Sequence, residues 1–184
     1  MENAARLRIA NPDDAAAIAA IYAPYVRDTV ISFETEPPDD GEMRRRIATT
    51  LETHPWLVAV RGGRVVGYAY ASQHRARLAY RWACDVAVYL APEAKGQGIG
   101  TALYTELLSL LRRQGFQHAF GGIALPNLAS VALHEKMGFR HLGTYTQVGF
   151  KLGAWHDVGW WQLTLGAPDE SPTEVIPFSQ LSLA

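Results

Sequence analysis

Apolar residues change their spacing several times along the chain, and each change marks an element. Leu7-Arg8-Ile9 alternates as a short strand, and Asn11-Pro12-Asp13-Asp14 supplies a cap signal ahead of Ile18, Ile21, Tyr22 and Tyr25 at helical spacing. Thr29 to Pro38 reads as a loop with an apolar-acidic mixture, Ile31-Ser32-Phe33-Glu34, and a second helix is predicted from Asp39 or Asp40 to about Thr53. The period then shortens. Trp56 to Val60, Arg64 to Ser72 and Arg81 to Ala91 are apolar, aromatic-rich strand runs, the first two joined by a Gly62-Gly63 hairpin turn. Ile99, Leu103, Leu107, Leu110 and Leu111 return to helical spacing, with Arg112 and Arg113 in the last turn and Gly115 as C-cap. A strand from His118 to Ile123, a capped helix from Asn127 to Met137-Gly138, and strands at about Arg140 to Lys151 and Trp155 to Leu165 complete the pattern. The order β-α-α-β-β-β-α-β-α-β-β predicts an α/β fold with a mixed, mostly antiparallel central sheet flanked by helices. A single domain is expected over residues 1–166. Residues 167–184 form a tail broken by Pro168, Pro172 and Pro177, expected to lie over a neighbouring surface.

With 184 residues, 48% hydrophobic and 19% charged, the chain has the composition of one globular domain and excludes disorder as a whole. A formal net charge of -1 gives no global attraction to nucleic acid or to an anionic membrane, so neither is expected as a partner. Cys84 is alone, which excludes an internal disulfide and fits a reducing, cytoplasmic setting. Met1 to Arg6 lacks the apolar core of a signal peptide, and no apolar run approaches a membrane span.

The chemistry concentrates where the strand Val86-Ala87-Val88-Tyr89-Leu90-Ala91 runs through Pro92-Glu93-Ala94-Lys95-Gly96-Gln97-Gly98-Ile99-Gly100-Thr101 into a leucine-rich helix. Glycines at alternate positions let the backbone approach an anion, and the following helix points its positive end at the same spot. A tight strand-to-helix turn is the plain alternative. A dinucleotide fingerprint would need a later third glycine and an acid about 20 residues on, and Phe116 to Phe120 offers none. A phosphate loop of the ATPase type would need its lysine after the glycines, whereas Lys95 precedes them. The loop resembles the [Q/R]-x-x-G-x-[G/A] element by which the GNAT superfamily of N-acetyltransferases wraps the pyrophosphate of acetyl-CoA, with Lys95 standing where Gln or Arg is usual. Asn127 to Phe139 resembles the superfamily's later acetyl-CoA motif. There Asn127 would bond the pantetheine arm while also capping its helix, and His134 would take the place of the tyrosine that protonates the leaving thiolate. His134 reads equally as a half-buried residue filling space.

Several segments carry a closer resemblance, to phosphinothricin N-acetyltransferases and their relatives acting on methionine sulfoximine. They are Ser32 to Pro37, His54 to Ala59, Gly67 to Ala71, Ala76 to Tyr80 and Val148 to Gly159. The resemblance implies the GNAT fold, a homodimer, acetyl-CoA as co-substrate, no metal, and transfer of acetyl to the α-amino group of an amino acid with a phosphinate, sulfoximine or sulfone side chain. Resistance to an antibiotic and detoxification of an oxidised amino acid would use almost the same pocket. Val88, Tyr89, Leu90, Lys95, Gly96, Gln97, Gly98, Ile99, Gly100, Thr101 and Asn127 would hold the co-substrate. A strand bulge at Val88 to Leu90 is expected to supply an oxyanion-type donor.

An α-amino group is protonated at neutral pH and must lose a proton before it attacks, so a base is required. Asp85 is the candidate. Period 2 puts it on the face of Ala83, Ala87 and Tyr89, opposite Cys84, which argues for direct transfer over a thiol-bound intermediate. The resembled enzymes normally have Glu there, and Asp is one methylene shorter. A buried carboxylate tied to backbone or to an arginine is the other reading. His74, Arg75, Arg77 and Arg81 form a basic cluster suited to an anionic substrate. Singly, each of these reads as a charge on a solvated loop; taken with the resembling segment, Arg75 and Arg77 are the best candidates for substrate contact, with Phe33 and Glu34 as covers from the first long loop, unless Phe33 is core. A non-catalytic acyl-CoA-binding module and a GNAT enzyme for another small amine remain as alternatives. For a cationic amine the cluster has the wrong sign.

Overall fold

A computed structural model describes residues 4–166 and 171–182. Seven strands form one sheet in the order β1-β2-β3-β4-β5-β7-β6. The strands are β1 Arg6–Ile9, β2 Trp56–Arg61, β3 Arg64–Gln73, β4 Ala83–Leu90, β5 His118–Leu125, β6 Arg140–Lys151 and β7 Ala154–Thr164. The helices are α1 Ala15–Asp28, α2 Asp40–Thr53, α3 Ile99–Gln114 and α4 Leu128–Lys136. Local chemistry explains most boundaries. Gly62 and Gly63, at φ 55° and 74°, make the β2–β3 hairpin, Asp39 accepts the Glu42 N–H to cap α2, and Gly115 closes α3 in the left-handed region. Asn11 differs slightly from expectation: it caps a single 3-10 turn, Pro12–Asp14, that leads into α1.

Every strand pair is antiparallel except β4 and β5. Their parallel pairing covers only Ala83, Cys84 and Asp85 against His118, Ala119 and Phe120. Beyond Asp85, β4 stays with β3 as far as Leu90 and β5 stays with β7 as far as Leu125. The two central strands therefore part, and a wedge opens at mid-sheet. The bulge expected at Val88 to Leu90 is not there: pairing runs unbroken from Gly67 opposite Leu90 to Gln73 opposite Cys84. Divergence of two strands, each following its own antiparallel partner, opens the site instead.

Helix α1 covers the face that carries Asp85, Ala87 and Tyr89, with the Tyr22 and Tyr25 rings edge-on to Tyr89 at 4.9 and 5.2 Å. Helix α3 covers the other face, where Leu103, Leu107 and Leu111 are fully buried. The described part of the tail lies on the domain's own surface. Ile176 exchanges backbone and side-chain hydrogen bonds with Gln114, Trp82 Nε1 donates to the Thr173 carbonyl, and Phe178 is buried. Pro168 falls outside the described residues.

His54, at the end of α2, stacks on Phe116 at 5.3 Å, and burial lowers its pKa to about 4. Burial lowers His134 as well. An unfolded histidine titrates near 6.5, so between that value and about 4 the unfolded chain carries a proton that folded His54 does not. The contribution of His54 to stability is fully present above pH about 6.5 and is lost as the pH falls toward 4. Replacing His54 by Gln is expected to flatten this acid limb by about 2 kcal/mol, allowing for the ring's partial exposure. Urea melts across that pH range measure it; identical limbs in both proteins would contradict the assignment.

Candidate active site

Three glycines with different surroundings build the loop that follows β4. Gly96 and Gly98 have φ of 72° and 77°, and a Cβ added at either would meet nothing within 4 Å. Open space lies in front of them. Gly100 is buried, and its Cβ would stand 3.3 Å from a Leu133 methyl and 3.6 Å from one of Leu90. Two glycines thus shape an accessible cradle, and the third lets α3 approach α4. Gly98 is the N-cap of α3 and has no side chain to claim the first amides of the helix, around Ile99, Gly100 and Thr101. Unclaimed amides at a helix N-terminus suit a phosphate anion. Positive charge stands close by. Lys95 places its ammonium 4.9 Å from the centre of the Tyr25 ring, and Arg61 reaches the Glu93 carbonyl and the Gln97 side chain. Gln97 is drawn back to Glu93 O at 2.6 Å, which leaves the front of the loop to backbone groups. These residues fit a pyrophosphate.

The wedge between β4 and β5 leads away from this loop. Val86, Ala87, Val88 and Tyr89 form one wall, Gly122, Ile123 and Ala124 the other, and Tyr104, Asn127, Ser130 and His134 close the remaining side. Asn127 caps α4 by accepting the Ser130 N–H at 3.1 Å. His134 Nδ1 lies 2.8 Å from the Ser130 carbonyl, which assigns the proton to Nδ1. Nε2 then accepts from the Tyr104 hydroxyl at 3.1 Å. Both ring nitrogens are engaged, so neutral His134 has no proton to offer the cleft directly. It orients Tyr104, a residue the sequence reading did not single out. Gly121 makes the close approach possible, because a Cβ there would fall 2.5 Å from His134 Nε2.

Asp85 stands where the strands part. Burial pushes its carboxyl pKa up, against the pull of His74 and Arg75. Its Oδ1 is 2.6 Å from His74 Nδ1, so the partner is neither backbone nor an arginine but the histidine eleven residues earlier. Cys84 points to the other face, fully buried, with its thiol pKa pushed far up by that burial. It presents no nucleophile to the cleft.

A second cavity opens on the Asp85 face between Ile31, Ser32, Phe33, Glu34, Tyr89, Gly122, Ala124, Val158 and Trp160. The 29–38 loop over it is firmly tied. Lys151 donates to the Val26 and Ser32 carbonyls, both at 2.6 Å. Phe33 rests on Gly149, where any Cβ would strike its ring. Glu34 lines the cavity but takes two bonds from Arg46, at 2.8 and 3.0 Å, and one from the Tyr22 hydroxyl at 2.9 Å. Burial would raise its pKa, but these partners outweigh it and hold the carboxyl below its ordinary range. Of the basic cluster, His74 bonds Asp85, whereas Arg75 donates to the His74 carbonyl at 2.9 Å and acts on Asp85 through its charge. The Arg75 guanidinium also lies 5.8 Å from the Trp160 ring. Arg77 opens the turn Leu78–Tyr80 at the surface and lines none of these cavities, and Arg81 pairs with Glu174 of the tail.

The family model described as the acetyltransferase (GNAT) domain matches residues 7–160. The chain belongs to the GNAT acetyltransferases. A phosphinothricin N-acetyltransferase of Alcaligenes faecalis is 42% identical, over 93% of this chain and 88% of that one. An L-methionine sulfoximine/L-methionine sulfone acetyltransferase of Salmonella typhimurium is 34% identical, over 89% and 98%. The crystal structure of a phosphinothricin acetyltransferase from Sinorhizobium meliloti, in complex with acetyl-CoA, matches with a TM-score of 0.90 at 38% identity, over 97% of this chain and 99% of that one. This GNAT protein is an acetyl-CoA-dependent N-acetyltransferase, and its glycine loop and wedge are the surfaces suited to that co-substrate. Arg61, Tyr104 and the pairing of His74 with Asp85 went unseen in the sequence. Each depends on contacts across at least eleven residues of chain.

Proposed function

We propose that this enzyme transfers acetyl directly from acetyl-CoA to the α-amino group of phosphinothricin or a methionine sulfoximine-like amino acid. The observation that carries this reading is the Asp85 carboxylate at the point where β4 and β5 part. It has Arg75 beside it and the cavity under the 29–38 loop on the same face. The amide cradle at Gly96 and Gly98 takes the pyrophosphate, and Lys95 and Arg61 balance its charge. Asn127 meets the pantetheine arm in the wedge, and the thioester supplies the acetyl group between Val88 and Gly122. Asp85 serves the removal of the ammonium proton, after which the amine attacks the carbonyl carbon and the thiolate departs beside Tyr104 and His134. Arg75 recognises an anionic group of the acceptor; a cationic acceptor would be repelled there. The names of the relatives support the same acceptor class. A panel of phosphinothricin, methionine sulfoximine, methionine sulfone and the common amino acids, with product analysis for α-N-acetylation, tests the reading. Turnover confined to common amino acids or to polyamines would refute it.

The enzyme is proposed to work as a homodimer in the cytoplasm, where acetyl-CoA is formed and the unpaired Cys84 stays reduced. Support for the dimer comes from β6, an edge strand that pairs only with β7 among the described residues. Phe150 at its end, Leu152 in the turn and Trp155 at the start of β7 are 60%, 61% and 59% exposed, next to exposed Tyr145 and Val148 on β6. An apolar edge of this kind is a self-association surface unless covered. Sedimentation should show a dimer that Phe150→Glu with Trp155→Glu converts to monomer, with Kd raised at least a hundredfold. A monomeric parent, or a dimer untouched by both substitutions, would contradict this.

A further inference from the structure

We propose that the proton acceptor of this enzyme is a His74–Asp85 pair, in which the His74 imidazole takes the ammonium proton and Asp85 orients and stabilises it. The inference rests on the acetyl-transfer reading above and adds a residue to it. His74 lies just past the end of β3, opposite the start of β4, and its side chain is largely buried. The ring is fixed on several sides. It stacks on Phe120 at 4.3 Å with an interplanar angle of 14°, and it meets the Tyr80 and Trp160 rings edge-on, both at 6.1 Å. Its Nδ1 is 2.6 Å from Asp85 Oδ1, a short contact of the charge-assisted kind.

That contact fixes the tautomer. Nδ1–H donates to the carboxylate, so the lone pair sits on Nε2, which makes no hydrogen bond among the described residues. His74 forms part of a cavity wall with Arg75, Phe120 and Trp160, and Trp160 also lines the cavity under the 29–38 loop. The other charged or titratable groups around the ring are Arg75, Tyr80 and His118, the last of which is held by Gln162. The Asp85 carboxylate stands on a single methylene. The imidazole extends its reach by the length of a ring.

The step balances as follows. An N–H bond of the acceptor's ammonium breaks and its proton forms a bond to Nε2, giving an imidazolium paired with the Asp85 carboxylate. The freed nitrogen lone pair forms the C–N bond, and the C–S bond breaks with its electrons on sulfur. The second proton of the attacking nitrogen passes to the thiolate, and the proton on His74 returns to solvent. No oxidant, reductant or metal enters.

The test is a set of variants read in two ways. His74→Phe keeps the stack on Phe120 and removes both nitrogens; it should lower kcat/KM about a hundredfold and displace the acid limb of its pH profile. Adding Asp85→Glu to His74→Phe should restore at least tenfold, because the longer carboxylate reaches without the ring. The second readout needs no substrate: nitrogen-15 ring shifts should show the Nδ1–H tautomer of His74 in the parent and its loss in Asp85→Asn. Wild-type kcat/KM and pH profile in His74→Phe would overturn the pair while leaving Asp85 as a lone base. An unchanged His74 tautomer in Asp85→Asn would overturn it too. Failure of the acetyl-transfer reading shows separately, as a parent enzyme that acetylates no amino acid at all.

Discussion

Asp85→Asn should lower kcat by a factor of a hundred or more while leaving the affinity for acetyl-CoA unchanged. The asparagine side chain is nearly isosteric, so the β4–β5 junction and the stacking of His74 on Phe120 persist. What is lost is the negative charge. An amide cannot stabilise an imidazolium and cannot itself take a proton, so the acceptor's amine remains an ammonium with no lone pair to attack. Positioned acid-base groups contribute about 10²–10⁴ to rate, which sets the size of the loss. Acetyl-CoA binding is spared because the cradle at Gly96 and Gly98 lies beyond the far end of β4. Thiol release in initial-rate assays and calorimetric titration with acetyl-CoA separate the two effects. A variant with wild-type kcat would remove Asp85 from the chemistry, and one that failed to bind acetyl-CoA would show that the substitution had damaged the fold.

The second large effect is expected from replacing Gly96 and Gly98 together by alanine. Both have positive φ, where an L side chain costs about 1–2 kcal/mol of backbone strain. The space before them is open in the protein itself, so the added methyls meet no protein atom and take up room in the cradle. Relaxation of the strained backbone would also turn the amides away from the anion. Loss of two well-aimed bonds to a charged group, at about 1.5–3 kcal/mol each, corresponds to a Kd for acetyl-CoA raised at least a hundredfold. Gly100→Ala makes the contrast. Its Cβ meets Leu133 and Leu90 within the packed interior, so Tm should fall while the Kd of the folded fraction changes little. Equal Kd values for the Gly96/Gly98 double variant and the parent would mean that the loop is only a tight turn.

The elements with strong local signals were legible before the structure. Gly62-Gly63, Asp39, Asn127 and Gly115 each impose a turn or cap through their own backbone or side chain, and the leucine spacing of α3 admits one helix. The glycine loop was legible for the same reason. The divergence of β4 from β5 was not, because it follows from which antiparallel partner each strand keeps, and an oxyanion donor from a bulge was expected in its place. Asp85 was visible as an acid on an apolar strand, whereas its partner His74 looked like one more member of a basic cluster. Only the antiparallel return of the chain from β3 to β4 brings the two together. Glu34 shows the opposite case. It was expected to cover the substrate and it does line the cavity under the 29–38 loop, yet its carboxylate is held by Arg46 and Tyr22, which makes it a fastening of the loop.

One measurement bears most directly on the account: parallel quantitation of free thiol and of N-acetylated product when the purified protein meets acetyl-CoA and L-phosphinothricin. Direct transfer at the β4–β5 wedge predicts one thiol per molecule of α-N-acetylphosphinothricin, with no acetyl group left on the protein. Acetyl-CoA binding without product, or acetyl retained on the chain, would contradict it.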